Sequence, residues 1–303
     1  LLKEAKKHVI HNDDTQSIIH IFNHNYIVDG KTFLEEPIGV YADTLSHEMT
    51  FITMPKNYFK NIKQAFIECD IEIDRLISSI FSLGAHLLTN SELKTGSIII
   101  DLGYEKTSLG IFKNLALVHS FTLPIGVNHI TKDISKVCSL TMEESEIIRN
   151  EIDFSFEEKI NIFDENNFLK NYYFKTSNFR KISEELLYSI IKARLNEIFE
   201  ILKTQINFSN SNYNEGLKFF ITGGGANLNN LEKYFYNFFQ TNVKNFQRVN
   251  KKTNEKDSIG SFIACFGAIK IINDGWETEA IPKTSRKNVE KISFFSKFFG
   301  NKQ

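Results

Sequence analysis

Apolar residues along this chain switch between two spacings, and the switches mark its elements. Residues 1–9 carry a helical pattern. Residues 17–28 and 47–54 alternate enough to predict strands, with turns at Gly30 and at Pro37-Ile38-Gly39 between them. Over 57–69 the period lengthens, and Phe59, Ile62, Ala65 and Phe66 fall on one helical face. Residues 71–77 form a short β-prone run, and 80–88 a buried helix ending near Asn90. Ile98, Ile99 and Ile100 make a wholly apolar strand that ends at Asp101-Leu102-Gly103. Strands over 109–112 and 115–123 follow at tight turns, so the three form a meander. A helix is predicted over 128–137, and Thr141 with Glu144 has capping-box spacing that starts another.

The second half is organised around 218–228. Before it, 154–179 is irregular and rich in Asn, Phe and Tyr, and reads as two short strands in a small subdomain. A long helix over 182–203 carries Leu186, Leu187, Ile190, Ile191, Leu195, Ile198 and Leu202 as its core stripe, and a polar loop over 207–214 follows. An apolar strand then runs into Thr222 and three glycines, Gly223, Gly224 and Gly225, before Ala226. Leu228, Leu231, Tyr234, Phe235 and Phe238 recur at helical spacing after it. A strand is predicted over 243–249. In the helix over 258–272, Gly260, Ala264, Gly267 and Ala268 permit close packing. Residues 276–287 read as a linker. In the last stretch Ile292, Phe294, Phe295, Phe298 and Phe299 share one arc of a helical projection, opposite Ser293, Ser296 and Lys297.

Composition narrows the classes. At 303 residues the chain is long enough for two domains or one large one. A net charge of −1 gives no reason to invoke nucleic acid. Cys69, Cys138 and Cys265 share no metal-like spacing and are expected to be core thiols in a reducing cytoplasm. No apolar run reaches the ~18 residues needed to span a bilayer, and no signal peptide is visible. Because residue 1 is Leu and 1–9 is already helical, the natural N-terminus is expected to lie upstream.

Two loops carry the candidate chemistry. Three glycines where a strand turns into a helix let backbone N–H groups approach a flat or anionic ligand; the plainer reading is a tight turn. Asp101 at a strand end offers a carboxylate for a hydrated Mg²⁺; equally, Asp caps turns. Arg194 and Glu197, three apart on a helix, can pair with each other. Between Leu76 and Leu88 the only titratable group is His86, and a lone His on an apolar helix is packed rather than catalytic; no general base is found. Burying one Phe of the last stretch is worth roughly 1.5–3 kcal/mol. Basic residues beside an anionic leaflet add about 1 kcal/mol each. Lys283, Arg286, Lys287, Lys291, Lys297 and Lys302 flank that stretch, which therefore reads as a membrane-targeting helix.

The two loops, with a helical insertion between them, resemble the actin–Hsp70–sugar-kinase nucleotide fold. Gly126, Thr131, Asp133 and Ile134, then Arg194 with Glu197, then Ile221 to Ala226, the helix from Gly260 to Ile269 and the aromatic C-terminal helix together resemble the bacterial cell-division family FtsA over nearly the whole chain. The resemblance implies an α/β, actin-like (ribonuclease H-like), two-lobed fold with an FtsA-specific inserted subdomain and a C-terminal amphipathic helix. It divides the chain into the remainder of the inserted (SHS2-like) subdomain (1–55) and part of the first lobe (56–95 with 258–275). The second lobe takes 96–140 and 216–257, its small subdomain 141–215, the linker 276–287 and the membrane helix 288–303. It implies ATP and Mg²⁺ at Asp101, Gly103, Thr107, Arg194, Glu197, Gly223, Gly224, Gly225 and Ala226, with Mg²⁺ reached by Asp101 through water. It also implies self-assembly into filaments, tethering of the tail of the tubulin-like protein FtsZ, contacts with other divisome proteins, and anionic inner-membrane lipid, at midcell on the cytoplasmic face. The family's first phosphate loop is expected upstream of Leu1. Where relatives carry Gly-Gly-Thr, this chain has Tyr104, Glu105, Lys106, Thr107 and Ser108, and Glu105 is expected to repel a triphosphate unless Mg²⁺ or Lys106 compensates. ATP binding is therefore expected without an enzymatic role, with weak hydrolysis at most. Two alternatives stay open: a related adaptor of pilus or envelope assembly, and a kinase or phosphatase of the same superfold.

Overall fold

The computed structural model describes residues 2–33, 37–156, 161–208, 216–246 and 262–275. Helix α1 (Leu2–Asn12) leads into a three-stranded antiparallel sheet of β1 (Gln16–Val28), β2 (Lys31–Phe33) and β3 (Leu45–Pro55), in the order β2-β1-β3. The pattern misses β2 because three residues are too few to show a period. Two register shifts in β1, at Ile18/His20 and Asn23/Asn25, break its alternation. Ile19, His20, Ile21 and Phe22 are consequently all buried in succession.

Helix α2 (Lys56–Ile67) forms as its periodicity predicts, yet none of its residues is buried. The β-prone run 71–77 pairs with no strand among the described residues, since β propensity makes a strand only beside a neighbour. Helix α3 (Ser79–Leu87) is buried over Ile80 to Ala85, and α4 (Asn90–Thr95) starts at a Thr89–Glu92 capping box.

The apolar strand β4 (Ser97–Leu102) is central because both its faces are covered. It pairs antiparallel with β5 (Thr107–Lys113), which pairs with β6 (Ala116–Leu123). On its other side it runs parallel to β7 (Lys218–Thr222), which neighbours β8 (Val243–Asn245). The order is β6-β5-β4-β7-β8. Ile98, Ile100 and Leu102 face a core shared with α5 (Val127–Cys138), α6 (Met142–Glu151), α7 (Glu184–Phe208) and α8 (Leu231–Phe239). Ile99 faces the opposite core, built with α3, Phe22 of β1 and α9 (Ile263–Asp274).

Two close approaches fix the second layer. A Cβ on Gly267 of α9 would lie 1.9 Å from the Ser82 carbonyl oxygen, so the α3–α9 crossing needs its glycine. A Cβ on Gly84 would lie 2.1 Å from the Phe112 ring.

Several expectations change. Residues 154–179 form no pair of strands among the described residues; a 3-10 turn at Asn171–Tyr173 and isolated bridges such as Phe163 to Leu169 stand there instead. Helix α7 extends to Phe208, and Leu186 of the expected stripe is exposed. Only Cys138 is a core thiol, pushed up to about 11 by burial; Cys69 and Cys265 are exposed. Gly260, the linker 276–287 and the stretch with Ile292, Phe294, Phe295, Phe298 and Phe299 lie outside the described residues. No described helix is long and apolar enough to cross a membrane.

Candidate functional site

Parallel pairing sets Asp101 directly opposite Thr222, so β4 and β7 end level and their loops leave the sheet side by side. Gly223 has φ +87°, a conformation that side chains disfavour. A Cβ there would lie 2.4 Å from Asp101 Oδ1 and 2.7 Å from the Leu102 carbonyl oxygen. Gly225 is tight as well: its Cβ would meet Leu102 Cγ and Val127 Cγ1, each at 2.6 Å. A Cβ on Gly224, by contrast, would meet nothing within 4 Å. Gly223 and Gly225 therefore serve close packing against the end of β4 and the start of α5, and of the three only Gly224 borders open space. The chain does not pass straight into a helix: a 3-10 turn covers Gly224–Asn227, and α8 begins at Leu231. Ala226 is buried, and its carbonyl accepts from Asn245 Nδ2 at 2.7 Å.

The opposite wall is the β4–β5 turn, closed by the Gly103 N–H donating to the Lys106 carbonyl at 3.0 Å. The first N–H groups of α5 are used by this loop: Val127 donates to the Gly103 carbonyl and Asn128 to that of Tyr104. The start of α5 is thus committed to the protein.

Side chains alternate along β4, so Asp101 lies on the same face as Ile99, toward α3 and α9. Burial pushes its carboxyl above the usual carboxylate range, and Lys106 partly opposes this. Ser108, opposite Asp101 in register, shares that face and lies 3.3 Å from Thr122 Oγ1. Sequence reasoning passed over Ser108 for its neighbour. Thr107 is on the other face, fully buried, and donates to the Ile125 carbonyl at 2.7 Å, so it does not join Asp101. Glu105 is also turned away: its carboxylate accepts from Asn128 Nδ2 and pairs with Lys132 at 3.1 Å. Those partners hold its carboxyl below the usual range and turn the charge toward α5.

Arg194 and Glu197 do not reach the corner either. Arg194 grips Asp133 with two bonds, Nε to Oδ2 at 2.6 Å and an η nitrogen to Oδ1 at 2.9 Å, and also pairs with Glu197. Asp133 lies on α5 six residues past Val127, which packs on Gly225; at 1.5 Å per residue that is roughly 9 Å along the axis. His86 stacks on Phe266 of α9 with ring centroids 6.0 Å apart, and burial, then Lys270, hold its imidazole below the usual value. The structure thus gathers Asp101, Gly103, Gly223, Gly224, Gly225 and Ala226 and leaves Thr107, Arg194 and Glu197 outside.

A five-stranded mixed sheet with helices on both faces and a carboxylate-and-glycine corner at one end defines an actin-like protein. Solved structures agree on the fold. The PilM-PilN type IV pilus biogenesis complex matches with a TM-score of 0.58 and 13% identity, covering 90% of this chain and 73% of that one. MreB 5 of Spiroplasma citri bound to AMPPNP matches with 0.51 and 19%, covering 74% and 66%. The family model "Cell division protein FtsA" matches residues 98–262, and "SHS2 domain inserted in FTSA" matches 1–53. The chain belongs to the FtsA cell-division family. FtsA of Buchnera aphidicola subsp. Schizaphis graminum is 28% identical over 230 residues, 73% of this chain and 54% of that protein. The Bacillus subtilis protein is 25% identical over 229 residues, 76% and 51%. The chain spans about half the length of these curated relatives.

Proposed function

We propose that this chain is a nucleotide-binding, membrane-tethering adaptor of the division machinery, with ATP and Mg²⁺ held at the Asp101–Gly224 corner. The observation that carries the reading is the level ending of β4 and β7, which sets the partly buried Asp101 opposite Thr222, with Gly224 unobstructed two residues further on. The Asp101 carboxylate has no hydrogen-bond donor among the described residues, and burial raises its carboxyl. A cation nearby would offset that cost. A single carboxylate oxygen donor suits a hydrated Mg²⁺ that takes its remaining ligands from water and phosphates. Gly224 leaves room for adenosine, and Lys106 adds a positive charge beside the carboxylate.

An adaptor is favoured over an enzyme. His86 is the titratable group on α3, and it is packed on Phe266. Its FtsA relatives support a role in division; filament assembly, docking of the FtsZ tail and peripheral attachment to the inner membrane at midcell extend that role to this chain. Attachment rests on Ile292, Phe294, Phe295, Phe298 and Phe299 and the basic residues around them.

Equilibrium dialysis of the full chain against Mg²⁺-AMPPNP tests the corner. Binding that is lost in Asp101→Ala is expected; equal binding by both would reject the site. Cosedimentation with anionic liposomes tests the tether: deleting 288–303 should release the protein. Capture by an FtsZ C-terminal peptide separates this adaptor from one serving a pilus.

A further inference from the structure

His20 is a fully buried imidazole of the inserted sheet, and its Nε2 accepts the backbone N–H of Ser78 at 2.8 Å. Ser78 is the N-cap residue of α3. An Nε2 that accepts is unprotonated, so the ring proton is on Nδ1. The ring is wedged between Phe22 of its own strand and Phe81 of α3, with centroids 5.6 and 5.3 Å away. A residue of the inserted subdomain therefore occupies a helix-start donor of the lobe beneath it.

The direction of α3 gives this bond its interest. Gly84 lies against Phe112, which pairs with Ser97; Ile80 lies against Gly110, which pairs with Ile99. Moving toward the start of α3 follows β4 from Ser97 to Ile99, that is, toward Asp101. The same sheet face carries Ile99 and Asp101. The start of α3 is thus aimed at the end of the sheet where the corner lies, and His20 holds it from behind. Two further polar ties of the inserted sheet, Thr50 Oγ1 to the Val118 carbonyl at 3.0 Å and Asn114 Nδ2 to Asn25 Oδ1 at 2.9 Å, run to the β5–β6 hairpin instead.

We infer that His20 couples the seating of the inserted sheet to ligand occupancy of the Asp101–Gly224 corner, by accepting the Ser78 N–H at the start of α3. The inference rests on the nucleotide reading above. A ligand that tightens the start of α3 tightens the His20 bond and with it β1. By reciprocity, freeing β1 weakens the ligand by the same factor.

Hydrogen exchange of the full chain with and without Mg²⁺-AMPPNP tests it, alongside dialysis of the same ligand. In the wild type the ligand should slow exchange in α3 and in β1 by about 5-fold or more. His20→Leu keeps bulk but removes the acceptor; β1 should lose its response while α3 keeps it. His20→Gln, with an acceptor at similar reach, should restore the response. Ser78→Pro removes the donor from the other side at φ −62°, which proline accepts, and should behave as His20→Leu; it decides the matter if His20→Leu does not fold. Thr50→Val should leave the ligand response of β1 intact. Ligand binding with an unchanged β1 response in His20→Leu or Ser78→Pro, or no restoration by Gln, overturns the coupling alone. No binding by the wild type overturns the nucleotide reading and the coupling with it.

Discussion

Replacing Asp101 by Asn removes a buried charge without changing the side chain's shape. Because the folded carboxyl is raised, the fold is favoured when it is protonated, and the penalty grows as pH rises above the ordinary value of 3.8. The urea midpoint of Asp101→Asn should therefore exceed that of the wild type near neutrality and converge with it toward pH 3.8, while Mg²⁺-dependent nucleotide binding falls. On the proposed function, stability and ligand binding move in opposite directions at Asp101. The glycines divide in the same way. Gly225→Ala drives a Cβ to 2.8 Å from the Leu102 carbonyl oxygen and should cost about 1–3 kcal/mol. Gly224→Ala meets nothing, so denaturation should change by less than ~0.5 kcal/mol and only ligand affinity should drop. The sequence showed three equivalent glycines. Their separate duties depend on what lies beside each, which no local pattern encodes.

Elements were read where the information is local. Apolar Ile98 to Ile100 and the Thr141–Glu144 box both appear as expected because a strand core and a cap are decided within a few residues. What was hidden is long-range. Glu144 caps α6 and also accepts the N–H groups of Thr176 and Ser177, more than 30 residues away. Burial alone would raise its carboxyl, but the Ser177, Thr176 and Thr141 donors outweigh it and hold the group well below its ordinary 4.5. A depressed carboxyl stabilises the fold above the unfolded value and loses that contribution as pH falls. Glu144→Gln should thus cost about 1.5–3 kcal/mol near pH 7 by urea denaturation, and the gap to wild type should shrink below pH 4.5. Thr107 and Arg194 point away from Asp101 for a related reason: strand parity and an α5–α7 ion pair, not residue type, set where they point.

One sheet serves two apolar layers, and this gives the molecule its organisation. The inserted sheet joins the α3–α9 layer through Phe22 and Ile52, so a segment read from sequence as a separate subdomain shares a core with the lobe. On the outer side of that layer the pattern is reversed. Helix α2 is amphipathic yet leaves Tyr58, Phe66 and Ile67 exposed, and Phe262, Phe266, Ile269 and Ile272 of the α9 segment are exposed with it. Large apolar groups in water contribute little to the stability of the described chain. In a saturation library sorted for folded protein alone, polar codons should accumulate freely at Tyr58, Phe66, Ile67 and Ile269. A second sort for division in cells should restore the apolar ones, and the difference between the two sorts would map which of these positions answer to selection for something other than the fold.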